Sequence, residues 1–193
     1  MLISPKITPM KTYFFTVLVT LTLLGGTSSC KKGVGSPAVP MTYSFQLLNE
    51  RAEESMVFFP GQEIVFRFQI ANSSDQVMYL NNPVFDVKPF LEVYDITGSK
   101  YQSIGKPYTS LCLSYVNYYI IPARSILTFA IPWVESPQYP NKEPFCSHAA
   151  NTPLPKGRYR TSFAPLLTWH LGTEPETTAT PDPAAFVREF EVR

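Results

Sequence analysis

The residues of this chain that could serve as nucleophiles, general bases or metal ligands are few, with three cysteines and two histidines among 193 residues. Nucleophilic catalysis needs a serine or cysteine beside a base and an orienting acid. No Gly-x-Ser-x-Gly elbow accompanies His148 or His170. The acidic residues are scattered, and Asp95 fits a turn better than a carboxylate pair. We therefore expect no catalytic residues, no metal site and no cofactor, and hence no enzyme. A small hydrolase stays an alternative, and it would place one histidine in a pocket beside a carboxylate.

Cys112 and Cys146 form an even pair if Cys30 has another role, as argued below. In an oxidising compartment a disulfide between them is the simplest interpretation. It would close a loop of about 35 residues, stabilise the fold by about 4 kcal/mol and pin the proline-rich segment 134–156. Two separate buried thiols are an alternative. A metal site with His148 is another, although Cys-x-His is not a zinc spacing.

The N-terminus has the three regions of a secretory signal peptide. Lys11 precedes residues 13–24, an apolar run without charge, and small residues follow the run. Twelve helical residues reach only about 18 Å, which is short of the roughly 30 Å hydrocarbon core of a bilayer. We predict a signal peptide over residues 1–29. Translation could start at Met10 instead of Met1.

The end of this segment, Gly25-Gly26-Thr27-Ser28-Ser29-Cys30, resembles a bacterial lipobox of the Bacteroidetes type. Thr27 stands where the tightest form of the motif has leucine. The resemblance implies that Cys30 becomes the lipidated N-terminus of an outer-membrane lipoprotein, because several acyl chains such as palmitate make attachment stable. The alternative is an ordinary signal peptide followed by a cysteine without this role.

A flexible tether follows the predicted lipid, since residues 30–40 are small and interrupted by proline. Surface export in the resembling lipoproteins is associated with acidic residues after the cysteine. Lys31 and Lys32 occupy those positions here, which favours a periplasm-facing location. The membrane is thus one expected partner, reached through the N-terminal lipid.

Charge is nearly balanced along the chain, with 16 basic and 15 acidic residues. Removal of residues 1–29 takes away Lys6 and Lys11 and leaves 14 basic residues against the same 15 acidic ones. A neutral chain does not favour nucleic acid as a partner. Nineteen prolines and 14% aromatic residues favour a β-rich protein with proline-broken loops.

From Met41 onwards the hydrophobic pattern has the period of two expected of half-buried strands. Turn residues separate the runs, as at Asn72-Ser73-Ser74. The predicted strands cover residues 43–47, 64–70, 76–80, 90–95, 113–121, 125–133, 157–163 and 186–193. Seven to nine short strands over about 150 residues predict an all-β fold, an immunoglobulin-like antiparallel β-sandwich over residues 41–193. A closed barrel is the alternative, because sequence does not fix strand order.

Several short motifs occur over residues 58–163, namely Phe59-x-Gly61-Gln62, Asn72-Ser73-Ser74, Leu91-x-Val93-Tyr94-Asp95-x-x-Gly98, Ile121-Pro122-Ala123-x-Ser125, Trp133 and Pro155-x-Gly157-x-Tyr159. Together they resemble the bacterial intracellular proteinase inhibitor domain. The resemblance implies a small immunoglobulin-like sandwich. Gly61 and Gly157 would supply turn conformations, and Tyr159 would fill the core beside Trp133. Proteinase inhibition would require an exposed hydrophobic loop tip, expected within residues 134–156.

Aromatic residues give the remaining hint of a binding site. Tyr115, Tyr118 and Tyr119 place rings on both faces of one predicted strand, whereas a sandwich sheet needs only one buried face. Exposed rings stack on sugars or anchor protein partners, so these tyrosines and Trp169 are candidate ligand-binding residues. The alternative is that the second face is covered by the chain's own loop. Glycan binding would require two coplanar exposed rings.

Segment 172–185 is acidic and rich in threonine and proline, which predicts a mobile excursion before the last strand.

Together the features of the sequence predict a non-catalytic, lipid-anchored cell-envelope protein whose domain binds or supports another envelope protein. A proteinase-inhibitor-like module, a glycan-binding lipoprotein and a small hydrolase are the alternatives.

Overall fold

A computed structural model describes residues 40–81, 90–111, 118–140, 145–164, 168–173, 178–179 and 185–193. All of them belong to the second of the two units into which the chain divides, Val39–Arg193. The predicted signal peptide, Cys30 and nearly all of the tether lie outside the described residues. So do Cys112 and Tyr115.

The described residues form fourteen β-strands and no helix. The described part of the chain also holds no helix that could cross a bilayer. In chain order the strands are β1 (Met41–Leu48), β2 (Val57–Phe58), β3 (Val65–Asn72), β4 (Met78–Asn81), β5 (Val93–Asp95), β6 (Gln102–Gly105), β7 (Tyr108–Leu111), β8 (Tyr118–Ile121), β9 (Ile126–Pro132), β10 (Phe145–His148), β11 (Gly157–Phe163), β12 (Thr168–Leu171), β13 (Thr178–Ala179) and β14 (Phe186–Val192).

Two sheets make the body of the domain. One has three strands in the order β1-β3-β9, and the other has five in the order β2-β14-β11-β5-β6. All pairs within them are antiparallel except β2 with β14. Two smaller sheets have the orders β13-β12-β4-β8 and β10-β7. The fold is therefore all-β.

The core between the two main sheets is built from aromatic rings. Phe45 and Phe68 of the three-stranded sheet meet Phe163 of the five-stranded sheet with ring centroids 4.9 and 5.6 Å apart. Phe186 also lies 5.6 Å from Phe68. Edge-to-face contacts of this kind contribute beyond the burial of apolar area. The two layers therefore form a β-sandwich, as the alternating pattern predicts.

The predicted strands agree with the structure where the pattern is strongest. Strands β1, β3, β9, β11 and β14 all fall within or beside predicted runs, and the two main sheets together contain eight strands. The six strands of the smaller sheets include β10, inside the proline-rich segment, and β13, inside the predicted excursion. Both are very short, and short strands carry too few residues for a period of two to be visible.

The last strand carries an arginine on its core side. Arg188 lies on the same side of β14 as Phe186 and Phe190, facing the other sheet. Its Nη2 donates a hydrogen bond to the backbone oxygen of Phe45, 2.6 Å away, and the guanidinium carbon lies 5.9 Å from the Phe45 ring centroid. The side chain therefore joins the edge strand β1 to the opposite sheet.

The motif Pro155-x-Gly157-x-Tyr159 has a physical role that differs in part from the prediction. Tyr159 is buried as expected, and its hydroxyl donates to the backbone oxygen of Pro155 over 2.7 Å. Gly61 has a positive φ of 82°, as a turn glycine does. Gly157 differs from Gly61, because its φ is not positive. A Cβ at position 157 would lie 3.1 Å from both Thr97 Oγ1 and the Tyr159 hydroxyl. Close approach, rather than a turn, requires glycine at position 157.

Candidate functional site

The four-stranded sheet carries a cluster of rings on its outward side. In this sheet β12 pairs with β4, and β4 pairs with β8, which places His170 opposite Tyr79 and Tyr79 opposite Ile120. Side chains alternate between the two faces of a strand. Met78, Leu80, Ile121 and Trp169 consequently point into the core, while the alternate residues point outwards.

The rings on the outward side contact one another closely. The rings of Tyr79 and His170 are stacked, with centroids 4.9 Å apart and planes 11° from parallel. Tyr118 meets both edge-on, with centroids 6.1 Å from Tyr79 and 5.4 Å from His170. We call the surface formed by Tyr79, Tyr118, Ile120 and His170 the aromatic face.

The aromatic face is accessible to solvent. It carries no formal charge when His170 is neutral. Tyr118 is 41% exposed and Ile120 is 60% exposed. The described outward positions of β4, β8 and β12 contain no aspartate, glutamate, lysine or arginine. Binding an apolar surface here would thus strip water from few strongly solvated groups, which keeps the desolvation cost low.

The structure describes three of the four ring residues that the sequence selected. Tyr118 is on the surface. Tyr119 is half-buried, with its ring 5.4 Å from that of Phe129, so the two neighbouring tyrosines do place rings on opposite faces. Trp169 is only 6% exposed and belongs to the core, so it offers little surface to a ligand. Tyr115 lies outside the described residues.

Three members of the aromatic face were absent from the predicted site, namely Tyr79, Ile120 and His170. Each lies on a run predicted as strand or strand edge. What the sequence lacks is the register between β4, β8 and β12, which brings together residues up to 91 positions apart in the chain. The one signal in the sequence is the spacing of Tyr118 and Ile120, which are two residues apart in β8 and therefore share one face of that strand.

Asn72 attaches the four-stranded sheet to the sandwich. It is the last residue of β3, and its side-chain nitrogen donates to the backbone oxygens of Gln76, Ile121 and Pro122 at 2.8, 3.1 and 3.1 Å. Its side-chain oxygen accepts hydrogen bonds from the amide and hydroxyl of Ser74. This one amide therefore fixes the entrance to β4 and the exit from β8.

An exposed ion pair lies at the same corner. Arg124 Nε is 2.8 Å from Asp75 Oδ1. The Arg124 guanidinium donates a hydrogen bond that holds the pKa of the Asp75 carboxyl below its usual range. Because both side chains are exposed, the pair adds little to stability, and it leaves the corner electrically neutral.

Of the two cysteines predicted to form a disulfide, the structure describes one. Cys146, on β10, is disulfide-bonded, and Phe145 beside it pairs with Leu111 of β7. Its predicted partner, Cys112, follows Leu111 directly and lies outside the described residues. The pairing of Cys146 with Cys112 stays a prediction.

Within the described residues, the rings that contact His170 are those of Tyr79 and Tyr118. Neither histidine lines the cavity of about 310 Å³ that contains Asp95. No group of three or more histidine, cysteine or acidic side chains within the described ranges is placed to hold a metal ion.

The hydrophobic loop tip expected of a proteinase inhibitor was placed within residues 134–156, of which the structure describes a part. Of residues 134–156, positions 134–140 and 145–156 are described, and none of these is an exposed large hydrophobic residue. An exposed phenylalanine does occur at a different turn, where Phe59 is 63% exposed.

Comparisons with known proteins give no assignment. No protein-family model matches the chain, and no curated protein matches it. Among solved structures it is similar to a beta-glucosidase from Listeria innocua in complex with gluconolactone, with 12% identity and a TM-score of 0.30. The match covers 79% of this chain and 16% of that chain, so this chain corresponds to a small part of the enzyme's length. A TM-score this low supports no conclusion about fold or activity.

Proposed function

We propose that the protein is a non-catalytic, lipid-anchored binding protein of the cell envelope that holds a protein partner on its aromatic face. The observation that carries the proposal is the exposure of Tyr118 and Ile120 beside stacked rings, on the outward side of the four-stranded sheet. Tyrosine is enriched among residues that dominate protein–protein binding energy. The anchor is inferred from Cys30 and its preceding segment.

Strand order supports an immunoglobulin-like assignment of the sandwich. The orders β1-β3-β9 and β14-β11-β5-β6 correspond to strands A-B-E and G-F-C-C′ of variable-type immunoglobulin domains. In that correspondence β4 belongs to the B–C connection, β12 and β13 to the F–G connection, and β8 precedes strand E. The B–C and F–G loops of variable domains lie together at the antigen-binding end. The correspondence with variable domains is an analogy of fold.

A protein partner fits the aromatic face better than a glycan does. The planes of Tyr79 and Tyr118 stand 81° apart, and Tyr79 is instead stacked against His170, so the two tyrosines do not form a coplanar platform for sugar rings. Ile120, an aliphatic residue without hydrogen-bonding groups, is the most exposed member of the face. Such a surface favours an apolar protein contact.

The chain offers a matched pair of variants to test this proposal. Ile120 on the aromatic face and Ile126 on β9 are both 60% exposed. We expect Ile120→Asp to weaken partner binding at least about tenfold, because a buried carboxylate at the contact would be unpaired. Ile126→Asp should leave binding unchanged. The measurement is the fraction of full-length protein in a complex larger than the monomer, after detergent extraction of the native envelope.

The outcomes of this comparison are distinct. Loss of the complex in Ile120→Asp alone supports the aromatic face as the binding surface, provided that thermal unfolding shows both variants folded. Equal behaviour of the two variants contradicts it. Release of the complex by soluble envelope glycan, rather than by Ile120→Asp, would favour the glycan alternative instead.

A further inference from the structure

A second candidate site lies elsewhere on the sandwich, around a cavity of about 310 Å³. Residues of β5, β6 and β11 line it, together with Trp133, which directly follows β9, and the irregular segment 150–155. No member of the aromatic face contributes to its lining. Its volume is at the lower end of the range for small-molecule sites.

Side-chain hydrogen bonds hold the wall of this cavity in place. The indole nitrogen of Trp133 donates to the backbone oxygen of Thr152 over 2.9 Å. The side-chain nitrogen of Asn151 donates to the backbone oxygens of Lys106 and Trp133 at 2.8 and 3.1 Å. At the other end of the segment, the Tyr159 hydroxyl donates to the backbone oxygen of Pro155. The segment is thus fixed before any ligand arrives, which reduces the entropic cost of binding.

The charge within the cavity has one sign. Among the described residues that line the cavity, Asp95 is the only formally charged one, and none is a lysine or arginine. Asp95 Oδ1 accepts a hydrogen bond from the backbone nitrogen of Thr97 over 2.7 Å. This bond lowers the pKa of the Asp95 carboxyl, so the group is ionised at neutral pH. Ile104, Pro153 and Pro155 supply the accessible apolar part of the lining. Trp133, Leu154 and Tyr159 also belong to the lining but are buried.

We propose that this cavity binds a small organic cation, with its ammonium group at the Asp95 carboxylate and its apolar body against Ile104 and Pro153. A free arylalkylamine and the side chain of a lysine share this chemistry. Neutral compounds of the same shape lack the charge-assisted hydrogen bond and should bind more weakly.

The test uses the full-length protein in detergent solution, with the indole N–H signal of Trp133 followed by NMR. The probes are 2-phenylethylammonium and n-butylammonium, the latter having the length of a lysine stem, each compared with its neutral alcohol. We expect at least one ammonium probe to bind about tenfold more tightly than its alcohol, the effect of one hydrogen bond to a charged group. Whichever ammonium binds more tightly identifies the source.

Asp95→Asn is the informative variant, because asparagine can still accept the hydrogen bond from Thr97 while the charge is lost. The preference for ammonium over alcohol should disappear in Asp95→Asn, with alcohol binding unchanged. If this variant does not fold, the salt dependence of the wild type replaces it, and ammonium binding alone should weaken as salt is added. Wild-type protein that binds ammonium and alcohol equally, or a preference that survives Asp95→Asn or added salt, overturns the proposal.

Discussion

Replacing Asn72 by alanine should lower the free energy of unfolding by about 3 kcal/mol, since buried groups that lose their hydrogen-bond partners each cost about 1–3 kcal/mol. Asn72 is 2% exposed, and its side chain donates to three backbone oxygens and accepts two hydrogen bonds from Ser74. Because water reaches this buried site poorly, it cannot replace all the hydrogen bonds that the Asn72 side chain makes. Urea unfolding followed by tryptophan fluorescence measures the change.

Two further variants identify which hydrogen bonds matter. Asn72→Asp keeps the acceptor for Ser74 but loses the donor, and should destabilise at least as much as alanine. Asn49 makes a comparable set of bonds around its own turn in an exposed setting, so Asn49→Ala should cost less than about 1 kcal/mol. A stable Asn72→Asp protein would show that the turn, and not the link to Ile121 and Pro122, is what Asn72 provides.

Replacing Cys30 by serine should abolish incorporation of labelled palmitate completely. The thiol is the acceptor for the lipid in the proposed anchor, and a hydroxyl does not replace it. Each buried methylene group adds about 0.8 kcal/mol to membrane binding, so loss of all acyl chains removes the anchor. The measurement is the amount of labelled palmitate bound to the immunoprecipitated full-length protein.

Cys146→Ser is the matched control for this experiment, because it removes a different cysteine from the same chain. It should retain the label in full. Palmitate labelling of the Cys30→Ser protein equal to that of the wild type would contradict the lipid anchor and leave an ordinary secretory signal peptide as the better interpretation.

The sandwich was predictable from the sequence because its long strands bury one face each. In β3, Phe66, Phe68 and Ile70 alternate with more polar neighbours, and all three are buried. Arg188 shows the limit of this pattern, since a charged residue on the core side of β14 is stabilised by an acceptor on β1 that is distant in sequence. The alternation of apolar and polar residues along β14 does not reveal that a backbone oxygen of β1 accepts a hydrogen bond from Arg188.

The candidate site was predictable only in part. Tyr118 could be found because consecutive tyrosines in a strand cannot all face one core. The stacking of His170 on Tyr79 depends on a pairing between β12 and β4, and strands of four residues leave register weakly specified. The cavity beside Asp95 depends on hydrogen bonds from Trp133 and Asn151 to backbone oxygens, which residue types alone do not indicate.

The central claim, that a protein partner is held on the aromatic face, is tested most directly by site-specific photocrosslinking in living cells. The photoreactive residue p-benzoylphenylalanine is placed at position 120 or, as a control of equal exposure, at position 126. We predict one discrete protein adduct from position 120 and none of that size from position 126. Adducts of the same size and yield from both positions, or no protein adduct from position 120, would contradict the claim.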